Sequence, residues 1–181
     1  MRAARQFGEY DDEISGYVEL AELARRDGDL PAARRLLEQA REVAEPRTTR
    51  LDIRLAAVKA FSKLGCLTEQ EGQLDEAARW HRRATRLLAE NLDGIMPIPI
   101  NPTLGSVVEG WAALTAARGG PARAAELLGL AHTLHGFRDT ASFEVTRTIA
   151  AVNAAIGPDE FAAAYQRGRA LTRADALALA P

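Results

Sequence analysis

Cysteine occurs once in this chain of 181 residues, at Cys66, which excludes an internal disulfide and a cysteine-based zinc site. Aromatic residues make up only 6% and β-branched residues are sparse, which argues against sheet. No stretch approaches the ~18 uninterrupted apolar residues of a membrane span. A basic excess is also missing: the formal net charge is −2 and the isoelectric point is near 6.0. Domains that neutralise phosphates carry a clear positive surplus, so direct nucleic-acid binding is not expected. Lysine is confined to Lys59 and Lys63, an arginine bias that reflects genome composition more than function. The segment Met1–Phe7 has charges but no apolar run of the kind a secretory leader needs, which predicts a cytoplasmic protein. A phosphate loop of the form Gly-x-x-x-x-Gly-Lys-Ser/Thr appears nowhere.

What is present is helix-forming. Alanine, the strongest helix former, supplies about a fifth of the chain. Hydrophobic residues at 47% suffice for a core, and charged residues at 27% suffice to wet the surface. One spacing then recurs three times. It runs Tyr17, Leu20, Ala21, Ala24, Gly28, Ala33, Leu37, Ala40; then Phe61, Leu64, Gly65, Thr68, Gly72, Ala77, His81, Ala84; then Val108, Trp111, Ala112, Thr115, Gly119, Ala124, Leu128, Ala131. Each central glycine is placed to end a helix in the left-handed conformation, where glycine has almost no penalty. Leu30, Leu74 and Pro121 follow two residues later and open a return helix. Small residues at Ala21, Gly65 and Ala112 are set to face Ala33, Ala77 and Ala124, letting antiparallel helices approach closely. Leu20, Leu64 and Trp111 are expected to fill the adjacent layer.

This is the helix–turn–helix spacing of a tetratricopeptide repeat, which predicts an all-α fold: a tetratricopeptide-like array of about three helix pairs with C-terminal capping helices. Residues 1–181 are read as one domain, with repeats at about 14–47, 58–91 and 105–138 and a cap over 141–181. The period exceeds the usual ~34 residues, since Gly28 to Gly72 is 44 residues and Gly72 to Gly119 is 47. The excess before the second repeat reads as helix from Thr48 to Gln70. Gly94, Pro97, Pro99 and Pro102 forbid a continuous helix from Asn91 to Gly105. Gly136 to Asp139 reads as a loop, and Ala141 to Ile156 as a helix. Gly157-Pro158 stops that helix and starts another. Thr172 with Asp175 resembles a capping box. Met1 to Phe7 resembles the tail of a preceding helix, which predicts that the chain is part of something longer.

Glu109-Gly110-Trp111-Ala112-Ala113-Leu114 with Arg123-Ala124-Ala125-Glu126-Leu127-Leu128-Gly129, and Ala155-Ile156-Gly157 followed by Phe161, Ala164, Gly168, Leu171, Ala174 and Ala176, carry a wider resemblance. They are similar to the C-terminal helical repeats of large actinobacterial transcriptional regulators, the Streptomyces antibiotic regulatory proteins and the large LuxR-type ATPase regulators. The resemblance covers most of the chain and is best from about Gly105 to Ala180. It implies a non-catalytic sensor or interaction arm, with DNA binding and nucleotide hydrolysis located elsewhere. By the same analogy, the first helix of each repeat lines a concave face. That face would carry Val18, Glu22, Arg25, Arg26, Ser62, Cys66, Glu69, Gln70, Glu109 and Ala113. Val18 and Glu22, or Ser62 and Cys66, stand where chaperone adaptors use Lys and Asn to hold a C-terminal carboxylate, so that peptide class is not expected.

Several residues invite chemistry. His132 and His135 lie three apart on a helix, but two ligands are too few for a metal. His81 occupies a packing slot. Cys66, just after Gly65 on an inner helix, is expected to be partly exposed, with no neighbour to activate it. Arg79, Arg82, Arg83 and Arg86 form a basic run that reads as a solvated helix face, with Asp75 at pairing distance from Arg79. Ile95, Met96, Ile98 and Ile100 in the Pro-rich connector either cover helix ends or form a docking edge for a partner or a second copy. The expected function is therefore a protein-interaction or regulatory arm, without cofactor or metal, whose partner is a protein domain or a second copy. A small-molecule sensor with ligand in the groove and a free-standing adaptor are the alternatives. No nucleophile–base pair, metal set or phosphate loop favours an enzyme.

Overall fold

The three punctuating glycines adopt the backbone that their register predicts, with φ of 81° at Gly28, 78° at Gly72 and 82° at Gly119. In each turn the next amide reaches back five residues. Asp29 N donates to Ala24 O at 2.8 Å, Gln73 N to Thr68 O at 2.8 Å, and Gly120 N to Thr115 O at 3.0 Å. This is the hydrogen-bond pattern of a Schellman turn, which satisfies carbonyls left open by the ending helix. The three repeats therefore share one turn, built three times.

The computed structural model describes residues 9–90, 100–137 and 142–179, with no strand among them. Its helices are α1 (Tyr10–Arg26), α2 (Leu30–Ala44), α3 (Leu51–Gln70), α4 (Leu74–Ala89), α5 (Ile100–Ala117), α6 (Pro121–His135), α7 (Phe143–Arg169) and α8 (Arg173–Leu177). A 3₁₀ turn, Glu45–Arg47, follows α2. The pairs α1–α2, α3–α4 and α5–α6 are antiparallel hairpins, and the chain is an all-α, repeat-like array. The inner helices α1, α3 and α5 pack side by side, while α2 packs on α3, α4 on α5, and α6 under α7. Each inner helix begins ahead of the expected repeat boundary. In α5, Pro102 sits in the first turn, where the amide it lacks would have no helical partner.

The small-residue slots are buried as their spacing requires: Ala21, Ala33, Ala77, Ala112 and Ala124 have no exposed surface. Gly65 is buried too, but its space is taken by His81 from α4; a Cβ added there would lie 2.6 Å from the imidazole. Leu64 and Trp111 fill the neighbouring layer, and the Trp111 indole donates to Thr85 Oγ1 of the preceding return helix at 3.0 Å. Leu20 departs from the expectation. It is 45% exposed, because no earlier return helix lies against α1 among the described residues.

α7 bends where Gly157 (φ 79°, ψ 163°) precedes Pro158, dividing it into the two helices that the sequence suggests. Its second half meets α6 backbone to backbone. A Cβ on Gly129 would lie 2.1 Å from Tyr165 O, and one on Gly168 only 1.8 Å from Glu126 O. Thr172 and Asp175 form the expected reciprocal capping box at α8. Among the described residues no helix is long and apolar enough to cross a membrane.

Candidate functional site

The inner helices bring together most of the residues expected on the concave face, but α7 covers part of that face. Ser142 caps α7 by accepting from Val145 N, and its hydroxyl also donates to Glu109 Oε2 at 3.2 Å. Within the first turn, Glu144 accepts from Arg25 of α1, and Arg147 donates to both Glu69 of α3 and Glu144. Arg25 also donates to Gln70 Oε1 at 2.8 Å and to Glu22 Oε1 at 2.6 Å, while Lys63 donates to Glu22 Oε2 at 2.7 Å. A continuous ionic network thus ties α1, α3 and α7 together.

The centre of the network lies out of water, while Arg147 and Lys63 at its margins are partly exposed. Arg25 and Glu144 are each 1% exposed, and Glu69 is 8% exposed. A charge taken into a protein interior is tolerated only when paired and hydrogen-bonded. Burial pushes the Glu144 carboxyl upward, but the charges of Arg25, Lys63 and Arg147 outweigh it and hold the group at about 2. For Arg25, burial acts to lower the value, and Glu144, with Cys66 and Glu22, carries it above the usual guanidinium range. Cys66, expected to be partly exposed, is buried. Burial first, then the nearby Glu144 charge, pushes its thiol well above the ordinary value. A thiol in that state is a poor nucleophile.

The positions expected to line an open groove therefore divide into two groups. Arg25, Cys66, Glu69, Gln70 and Ala113 belong to the sealed portion, Gln70 being only half-buried there. Val18, Glu22, Arg26, Ser62 and Glu109 instead border a cleft of about 340 Å³ beside the start of α7. Val18, Val107 and Phe143 supply its apolar floor, with Glu19, Lys59 and Lys63 adding charges of both signs and Thr103, Ser106 and Ser142 adding hydroxyls. Glu109 is 5% exposed and faces His135, whose Nε2 lies 3.2 Å from its Oε1 without the alignment of a hydrogen bond.

Ile95, Met96 and Ile98 lie outside the described residues, as does the side chain of Ile100, which begins α5. His132 and His135 take different partners: His132 Nδ1 is 2.7 Å from the Tyr165 hydroxyl, and His135 turns to Glu109. No group of three or more His, Cys, Asp or Glu among the described residues is arranged to hold a metal. Arg79, Arg82, Arg83 and Arg86 border one depression of about 440 Å³ with Phe61 and Glu90. Within it Arg83 pairs with Glu45 and lies 4.2 Å over the Phe61 ring. Asp75 pairs with Arg118 at 2.7 Å.

His81 takes the packing slot that its spacing predicts, but with its ring nitrogens unpaired. It is fully buried, neither ring nitrogen meets a protein partner, and it fills the slot that Leu37 and Leu128 occupy in the sister repeats. Gly65 and Gly110 make room for it; a Cβ on Gly110 would lie 2.4 Å from the ring. Burial lowers its value to about 4, with Glu144 opposing and Lys63 and Arg25 reinforcing the effect. Glu144 and Arg147 were also absent from the expected set. The signal available was an acidic residue in line with Thr148 and Val152 on the buried face of that helix.

Comparison of the chain with protein-family models, with curated proteins and with solved structures returns no match.

Proposed function

We propose that this chain is a non-catalytic protein-interaction arm of the tetratricopeptide kind, resembling the regulatory arms of actinobacterial transcriptional regulators, and that it receives a partner segment in the α1–α3–α5 cleft. The observation carrying this reading is the division of the inner face. One part is locked by the Arg25–Glu144–Arg147–Glu69 network, and the other remains a cleft. Alternating charges around an apolar floor suit a polar, amphipathic peptide segment, with apolar contacts for affinity and rim charges for register. Lys59, exposed on the rim, steers an acidic side chain; Glu19, also exposed, steers a basic one.

The test uses the intact chain together with the polypeptide encoded next to it in its locus. Hydrogen exchange should slow over Val18–Arg26, Lys59–Lys63 and Thr103–Glu109 when the two are mixed. Ser62→Arg and Lys59→Glu, each folded by circular dichroism, should abolish that protection. Protection that persists in both variants would place the contact elsewhere.

A second reading has one observation in its favour, since about 340 Å³ lies within the size range of small-molecule sites. A small polar metabolite bound there would raise the melting temperature with concentration, and Ser106→Trp would remove the effect.

A further inference from the structure

The two ends of the array are finished differently. At the C-terminal end the last return helix, α6, is covered along its length by α7. At the other end, α1 presents Leu20 at 45% and Leu23 at 56% exposure, two of the three large hydrophobic residues exposed in the described structure. Repeat arrays need a polar outer face on a terminal unit to remain soluble. On α1, Leu20 and Leu23 interrupt such a face among the exposed Asp12, Glu19 and Arg26.

The repeat register says what belongs there. Leu20, Leu23 and Asp27 correspond to Leu64, Leu67 and Glu71 of α3, and to Trp111, Leu114 and Arg118 of α5. Leu64 and Leu67 are fully buried, with Leu114 at 1% and Trp111 at 9% exposure, and α3 and α5 each pack on the preceding return helix. The Trp111 bond to Thr85 fixes the direction in which this position faces. The third position is charged every time and pairs across the junction. Glu71 accepts from Arg34 of α2, and Arg118 donates to Asp75 of α4. Asp27 is exposed, and its carboxylate has no partner among the described residues.

We propose that the Leu20–Leu23–Asp27 edge is an axial docking surface for one further helix pair of the same kind, stacked in tandem ahead of α1. The return helix of that pair carries a small-residue and leucine stripe over the two leucines, and a basic residue in its second turn pairs with Asp27. A second copy of this chain does not fit the requirement, because each of its return helices is already covered: α2 by α3, α4 by α5 and α6 by α7. The edge adjoins the cleft residues Glu19 and Arg26 on α1, but its test uses the chain without any cleft partner and so stands apart from that reading.

The experiment places an added copy of residues 7–50 directly ahead of Phe7 in the full chain, keeping the native 44-residue spacing. The melting temperature should rise by about 3 °C or more, and amide exchange over Leu20–Ala24 of the original α1 should slow at least ~10-fold. Arg34→Glu in the added copy should remove part of the gain, and Asp27→Arg in the original α1 should restore it. In the unmodified chain, Leu20→Gln with Leu23→Gln should leave the melting temperature within about 2 °C. Where the extended chain folds, three results would overturn the proposal. One is an added unit that changes neither melting nor exchange; another is a charge reversal without rescue. The third is an unmodified chain that sediments as a dimer which Leu20→Arg dissociates, since the occupant would then be a second copy. If the extended chain does not fold, unfolding of the unmodified chain by the paired glutamines would by itself refute the edge, because it would make the leucines core.

Discussion

Replacing His81 with leucine should change how stability depends on pH between about 4 and 6.5 more than any other single substitution in the core. The imidazole is fully buried, neither nitrogen has a protein partner, and its value falls from 6.5 to about 4. Between those two values the unfolded chain binds a proton at this residue and the folded chain does not. Stability therefore falls as pH drops from about 6.5 to about 4, then levels off below that. Each pH unit in the window contributes ~1.4 kcal/mol, so His81 accounts for a loss of about 3 kcal/mol. That is a large share of the roughly 5–15 kcal/mol that holds a domain folded. Leucine removes the titrating group and matches Leu37 and Leu128 in the sister repeats. Urea titrations at pH 7, 6, 5 and 4 would measure the difference, with His132 and His135 common to both proteins and cancelling. The stability difference between the two proteins should move by about 3 kcal/mol in favour of leucine between pH 7 and pH 4. Parallel profiles would refute the assignment of a buried neutral imidazole.

Glu144→Gln should cost about 3 kcal/mol at pH 7, because Arg25 would lose its buried carboxylate partner and keep only Glu22. By contrast, Glu45→Gln, which removes a partner from the exposed Arg83 and from Arg41 (still paired with Glu38), should cost less than about 1 kcal/mol. The ionised Glu144 also predicts a separate acid limb, since stability present above 4.5 is lost as pH falls toward about 2; Glu144→Gln should flatten that limb in an acid titration. Gly168→Ala would place a Cβ 1.8 Å from Glu126 O and force α7 off α6, so it should lower stability by roughly 1–3 kcal/mol or more in thermal melts. Gly119→Ala meets no neighbouring atom but must hold φ near 82°, so it should cost about 1 kcal/mol with no change in helix content.

The parts of the fold that were legible in the sequence are those set by local chemistry. Gly28, Gly72 and Gly119 mark left-handed turns because few other residues tolerate that conformation, and three identical spacings imply three identical hairpins. Gly157-Pro158 and the Thr172–Asp175 box are legible for the same reason, their partners lying within a few residues. Contacts across long separations were not legible. Arg25 meets Glu144 119 positions away, and Arg147 meets Glu69 78 positions away. No periodicity encodes that the first turn of α7 reaches onto α1 and α3. Of the residues expected on the concave face, Arg25, Cys66 and Glu69 lie beneath α7 instead of facing solvent. Leu20 was placed in a buried layer because its repeat equivalents are buried; the register was informative, and the missing neighbour was not visible in it.

The reading frame upstream of Met1 tests the interaction-arm account most directly. The account predicts that the frame stays open and continues into a nucleotide-binding phosphate loop and a DNA-binding domain, with this array as their regulatory arm. An in-frame stop followed by a ribosome-binding site immediately before Met1 would contradict it, and would make the chain a free-standing adaptor.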